Sequence, residues 1–116
     1  MKIKNIAFTG YPVTDMKKAK AFYEGVLGLK QTSNYEDKFI EYDIGTSTLS
    51  IGVGSQFKPN SGGGSVALEV ENFDDAIKTL KKNKVKFLFE PQDFGVCNMV
   101  GISDPDGNTL LIHKKK

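Results

Sequence analysis

The sequence predicts an α+β protein of two tandem βαβββ units whose curved mixed sheets surround a cleft. Three observations lead there. A short apolar strand that runs into a helix occurs twice, at Ile6-Ala7-Phe8 and at Val66-Ala67-Leu68. Each of the two helices carries a polar cap and an apolar stripe. Each helix is followed by three short alternating segments of strand character.

In the first unit the helix is expected to start at Thr14 as N-cap, with Asp15 near the positive end of the dipole. Met16, Ala19, Phe22, Tyr23 and Val26 form its apolar stripe, and Gly28 ends it in a left-handed conformation. In the second unit Asn72 caps, Asp75 stands three residues on, Phe73, Ala76, Ile77 and Leu80 fall on one face, and Asn83 stops the helix. The strands that follow are expected at Leu29 to Thr32, Phe39 to Ile44 and Thr48 to Val53, then at Lys86 to Phe89, Val96 to Ile102 and Thr109 to His113. Period-two alternation sets Leu49, Ile51 and Val53 against Thr48, Ser50 and Gly52, and Val66, Leu68 and Val70 against Ser65, Ala67 and Glu69. Turn chemistry separates them at Asn34 to Lys38, Gly45 to Ser47 and Asp104 to Asn108. The Asp104–Asn108 run reads as a tight hairpin rather than an anion nest, with Gly107 and Asn108 suited to positive φ.

A chain of 116 residues fits one domain over residues 1–116, with unit one at 1–54, a flexible Gly/Ser-rich linker at 55–64 and unit two at 65–116. One helix covers only one face of each sheet. The other face needs a partner, and two curved sheets meeting there would enclose a cleft. The units pair within one chain or across a dimer, and a homodimer is the expectation.

Composition excludes several function classes. Apolar residues make up 39% and charged residues 26%, and Lys plus Arg exceed Asp plus Glu by only two, much of the excess lying in Lys114-Lys115-Lys116. That run reads as a solvated tail, so no nucleic-acid partner is expected. A single cysteine, Cys97, allows neither an internal disulfide nor a cysteine-rich zinc site and fits a reducing, cytoplasmic location. No apolar run suits a signal peptide or a membrane span.

The segments VTDMKKAKAFYEGVLGLK, with Asp15, Phe22-Tyr23 and Leu27-Gly28, and DPDGN followed by LLIH resemble the vicinal oxygen chelate superfamily over essentially the whole chain. That superfamily contains glyoxalase I, extradiol dioxygenases, fosfomycin-resistance transferases and bleomycin-binding proteins. Metal-dependent members place a His on the first strand of a unit and a Glu, or another His, on its last strand. The sequence reading aligns Asn5 and Ser65 with the first position, Leu111 with the second, and Leu49 or Ser50 with its counterpart in unit one. None of these is an ordinary ligand for Zn, Mn, Fe or Ni. Phe22 and Tyr23 read as core anchors rather than substrate contacts.

Two titratable residues stand out instead. Glu69 is a carboxylate in an apolar strand, which implies a wet cleft, an interface or a partner. His113 is the sole histidine, so imidazole chemistry must use it, although its plainer and favoured reading is a strand-end residue near the surface before the Lys run. Cys97 reads as a small buried residue rather than a nucleophile. Whether Cys97 and Met99 or Asn98 and Val100 share the cleft face stays open. Ala7 to Ala19 spans twelve residues where Ala67 to Ala76 spans nine, and the excess is assigned to a bulge at Gly10-Tyr11-Pro12 that sends Tyr11 to the cleft mouth.

The expected function is small-molecule binding of the glyoxalase/bleomycin-resistance type, with no cofactor and no metal at the usual site. The cleft would be lined by Asn5, Thr9, Tyr11, Ser65, Glu69, Thr109, Leu111 and His113. The alternative is a glyoxalase-like lyase, isomerase or dioxygenase. There a divalent metal would sit on displaced ligands such as Glu69, His113 and Glu41 or Cys97, with Glu69 and His113 catalytic.

Overall fold

A computed structural model describes residues 2, 4, 7–55, 59 and 63–116. The chain forms two compact units, Met1–Pro59 and Asn60–Lys116. Unit one contains β1 (Thr9–Pro12), α1 (Met16–Lys20), a π-helical continuation at Ala21–Val26, β2 (Ser33–Tyr35), β3 (Phe39–Ile44) and β4 (Ser47–Gly52). Unit two contains β5 (Val66–Glu69), α2 (Phe73–Lys82), β6 (Phe87–Asp93), β7 (Cys97–Ser103) and β8 (Thr109–Lys115). Each is a four-stranded mixed sheet, ordered β1-β4-β3-β2 or β5-β8-β7-β6, in which the first and last strands run parallel and the rest antiparallel. This is the predicted βαβββ unit, twice.

The helix starts follow from their caps. Asp15, not Thr14, is the first N-cap, and its carboxylate accepts from the Lys18 amide at 3.1 Å. Asn72 caps α2 by accepting from the Asp75 amide at 3.0 Å. The π-helical turn carries the bond from the Leu27 amide to the Phe22 carbonyl. Gly28, at φ 73°, then turns the chain so that the Leu29 amide reaches the Tyr23 carbonyl. Leu29 is thus part of the helix end, and the strand expected at Leu29 to Thr32 begins only at Ser33.

The repeat is more regular than the sequence reading held. Thr9 to Val66 and Asp15 to Asn72 are each 57 residues apart, so β1 and its cap match β5 and its cap without insertion. Gly10, Tyr11 and Pro12 are regular strand positions opposite Ser50, Ile51 and Gly52. The expected bulge is absent, because the true counterpart of Val66-Ala67-Leu68 is Thr9-Gly10-Tyr11 and not Ile6-Ala7-Phe8. Ala7 and Phe8 precede the strand, and Ile6 lies outside the described residues.

The buried apolar side chains gather on the helix face of each sheet. In unit one Tyr11, Ile40, Tyr42, Leu49 and Ile51 are buried on the helix side, where the Tyr23 ring lies 6.4 Å from that of Tyr11 and 6.3 Å from that of Tyr42. Phe22 meets Tyr23 edge-on, in the core role expected of both. The Tyr42 hydroxyl donates to Glu24 at 2.8 Å, and burial pushes its pKa well above the usual phenol range, with Glu24 adding to the rise. In unit two Val100, Ile102, Leu110 and Ile112 are buried with Leu80 of α2. The Asp104 carboxylate organises the last turn by accepting from the amides of Asp106 and Asn108 and from the Asn108 side chain. Gly107 takes positive φ there, whereas Asn108, expected to share it, does not, its amide and side chain being held instead by Asp104.

Candidate functional site

The second face of unit two carries a polar pair. Parallel register sets Glu69 of β5 beside His113 of β8. His113 Nδ1 lies 2.5 Å from Glu69 Oε1, and the Lys115 amide donates to Glu69 Oε2 at 2.8 Å. The Lys115 amide, and after it the His113 ring, holds the Glu69 carboxyl below its ordinary range. The pair is half-exposed, so Glu69 is a carboxylate with a partner at a wet surface. With Nδ1 engaged by Glu69, Nε2 is the ring nitrogen that would meet any further partner. This arrangement can orient an imidazole and balance its charge.

Register also settles which side of β7 joins them. Met99 stands opposite His113 and Cys97 opposite Lys115, whereas Val100 faces the helix core. Cys97 is buried, as a small core-like residue would be. Leu111 lies between Ala67 and Gly101, Thr109 opposite Ser103, and Ser65 just before β5 at the surface. Gly101 is roofed by Phe89, since a Cβ there would come within 2.5 Å of the ring.

Unit one presents different chemistry on its second face. A cavity of about 170 Å³ is lined by Phe8 and Phe39, by Tyr11 and Pro12, and by Gly10, Ser50 and Gly52. The two rings meet edge-on at 5.6 Å. Ser50 is fully buried, and its hydroxyl has no hydrogen-bond partner among the described residues. Such a group costs about 1–3 kcal/mol when left unpaired. Of the predicted lining residues, Tyr11 is one of those that line this cavity, although it is buried against Tyr23 rather than placed at an open mouth, and Thr9 is not among them. Asn5 lies outside the described residues.

The sequence reading missed Phe8 and Phe39. Matching the caps Asp15 and Asn72 in place of Ala7 and Ala67 sets Phe8, not Asn5, against Ser65. A wider depression of about 450 Å³ lies at the start of α2, lined by Glu71, Asp74 and Asp93 among others. Asp93 is engaged there by Lys116 at 2.6 Å and by the Gly95 amide.

Residues 5–112 match the family model described as the Glyoxalase/Bleomycin resistance protein/Dioxygenase superfamily. The chain belongs to this superfamily. In fold it is similar to a glyoxalase/dioxygenase from Nostoc punctiforme, at 18% identity and TM-score 0.83 over 97% of this chain and 92% of that one. A superfamily member from Sphaerobacter thermophilus aligns at 25% identity and TM-score 0.79, covering 97% and 98%. TnmS3, an antibiotic binding protein from Streptomyces sp. CB03234, aligns at 21% identity and TM-score 0.80, covering 100% and 99%. No curated protein matches the chain as a relative.

The superfamily's metal pattern can be tested against this chain's donors. Strand register places Phe8 and Ser65 before the first strands, and Ser50 and Leu111 at equivalent points of the last strands, opposite Gly10 and Ala67. Two of the four are hydrocarbon side chains and two are neutral hydroxyls, a set that does not fit Zn, Mn, Fe or Ni. Among the described residues no three of His, Cys, Asp and Glu gather where a metal could sit. Glu69 and His113 stand one strand repeat further along, each oriented by the other.

Proposed function

We propose that this superfamily member binds a small organic molecule through ring packing and hydrogen bonds, without a chelated metal or other cofactor. The carrying observation is the set Phe8, Ser50, Ser65 and Leu111 at the positions where metal-dependent members keep His and Glu. The similarity in fold to TnmS3, an antibiotic binding protein, supports the same direction. No helix among the described residues is long and apolar enough to cross a membrane. The reading takes the two units as one domain and expects a cytoplasmic homodimer with no nucleic-acid partner, checked by sedimentation and by salt-dependent DNA binding. A fragment library screened by amide chemical shifts on labelled protein tests the function. Shifts clustered on Phe39 to Gly52 or on Glu69 and His113 support it, and a library that moves no amide contradicts it.

The Glu69–His113 contact favours a second reading, an acid–base enzyme. His113 Nε2 would take a proton from a carbon or oxygen acid, and Glu69 would stabilise the imidazolium so formed. Loss of a measured isomerase or lyase activity in both Glu69→Gln and His113→Ala, with the fold intact, is the result this reading expects. Full activity in both variants excludes it.

A further inference from the structure

We infer that the unit-one cavity seats a single neutral aromatic ring bearing one hydrogen-bonding substituent, which pairs with the Ser50 hydroxyl when the Phe8 ring swings aside. The inference rests on the small-molecule reading above and names the ligand class.

Size comes first. About 170 Å³ is the scale of a cavity that admits one benzene-sized molecule, roughly 150 Å³. The walls are aromatic, Phe8 and Phe39, and favour edge or offset contacts with a third ring. The base is flat because two strand positions lack Cβ atoms. A Cβ on Gly52 would come within 3.0 Å of Phe39, and one on Gly10 within 3.0 Å of Ser50 Oγ and 3.3 Å of Phe8.

Polarity sets the rest. The Ser50 hydroxyl both donates and accepts, so it suits a phenol, a carbonyl or a ring nitrogen. None of the residues lining the cavity is charged, and Glu41, the cross-strand partner of Ser50, disfavours an anion. Glu41 itself accepts from Ser33 at 3.1 Å. The hydroxyl is fully buried, and Phe8, which lines the same cavity, is 46% exposed and lies outside any strand. A half-exposed ring outside any strand can rotate on a side-chain timescale.

The test titrates phenol, and benzene as its apolar match, into labelled protein and follows amide shifts in native, Ser50→Ala and Gly10→Ala chains. Phenol is expected to move Gly10, Ser50 and Gly52. Ser50→Ala should weaken phenol by about tenfold, leave benzene unchanged and not lower the Tm, since one hydrogen bond is lost and one buried unpaired group removed. Gly10→Ala should abolish phenol binding while the remaining cross-peaks hold their positions. Equal phenol affinity in native and Ser50→Ala chains overturns the inference. Phenol shifts confined to Glu69 and His113 also overturn it and leave the small-molecule reading standing. No shift from phenol or from the fragment library overturns both.

Discussion

The two units share one frame and spend it differently. In unit one the parallel pairs Gly10–Ser50 and Pro12–Gly52 leave a bare strand surface under two phenylalanines. In unit two the same two steps are Ala67–Leu111 and Glu69–His113, so an apolar step is followed by a coupled acid and base. The caps Asp15 and Asn72 stand at the same distance from their first strands, which fixes Gly10 and Pro12 as the counterparts of Ala67 and Glu69. The second faces of the two units therefore differ in side-chain character, while the helix faces share the apolar packing that keeps the fold.

Removing the helix-face anchor of unit one should have the largest effect. Tyr23→Ala deletes a fully buried ring that touches Tyr11, Phe22 and Tyr42, and should cost about 3–5 kcal/mol. Urea midpoints measure this, and a cost below about 1 kcal/mol would contradict the core described for unit one. In unit two Gly101→Ala forces a Cβ into the Phe89 ring and should cost about 1–3 kcal/mol, with the ring displaced in the variant's spectrum.

The repeat itself predicts a matched pair of smaller effects. Asp15→Ala and Asn72→Ala each remove an N-cap bond and should each lower stability by about 1 kcal/mol in thermal melts. A large cost at one and none at the other would break the equivalence of the two starts. The smallest effects are titrations at the two ends of the pH range. The lowered pKa of Glu69 gives stability that is present above the ordinary carboxylate range and is lost as pH falls through the lowered value, and Glu69→Gln should remove that acid arm. The raised pKa of Tyr42 acts oppositely. Its stability is present below the usual phenol range and is lost as pH climbs beyond it, an alkaline arm that Tyr42→Phe should abolish.

Most of the fold was legible because it rests on local signals. Asn72, Gly28, Phe39 to Ile44 and the Asp104–Asn108 turn each read correctly from cap, turn or alternation chemistry. The start of unit one was misread because Ile6-Ala7-Phe8 is more apolar than Thr9-Gly10-Tyr11, and hydropathy outweighed the spacing to the cap. Leu29 to Thr32 failed for a similar reason, since an apolar residue after Gly28 still serves the helix end. Of the candidate site, Glu69 and His113 could be named from residue type, yet their contact depends on parallel register, which no local pattern encodes. Phe8 and Phe39 enter the sequence reading only as members of strand segments, and the pairing of Gly10 with Ser50 shows the space beside them.

The central claim is that side chains for organic ligands replace the chelate. Elemental analysis of protein purified without chelator, then exposed to Ni, Zn, Mn or Fe and dialysed, tests it most directly. The account expects well under one equivalent of any of these metals to remain, whereas tight retention of one equivalent per chain would contradict it.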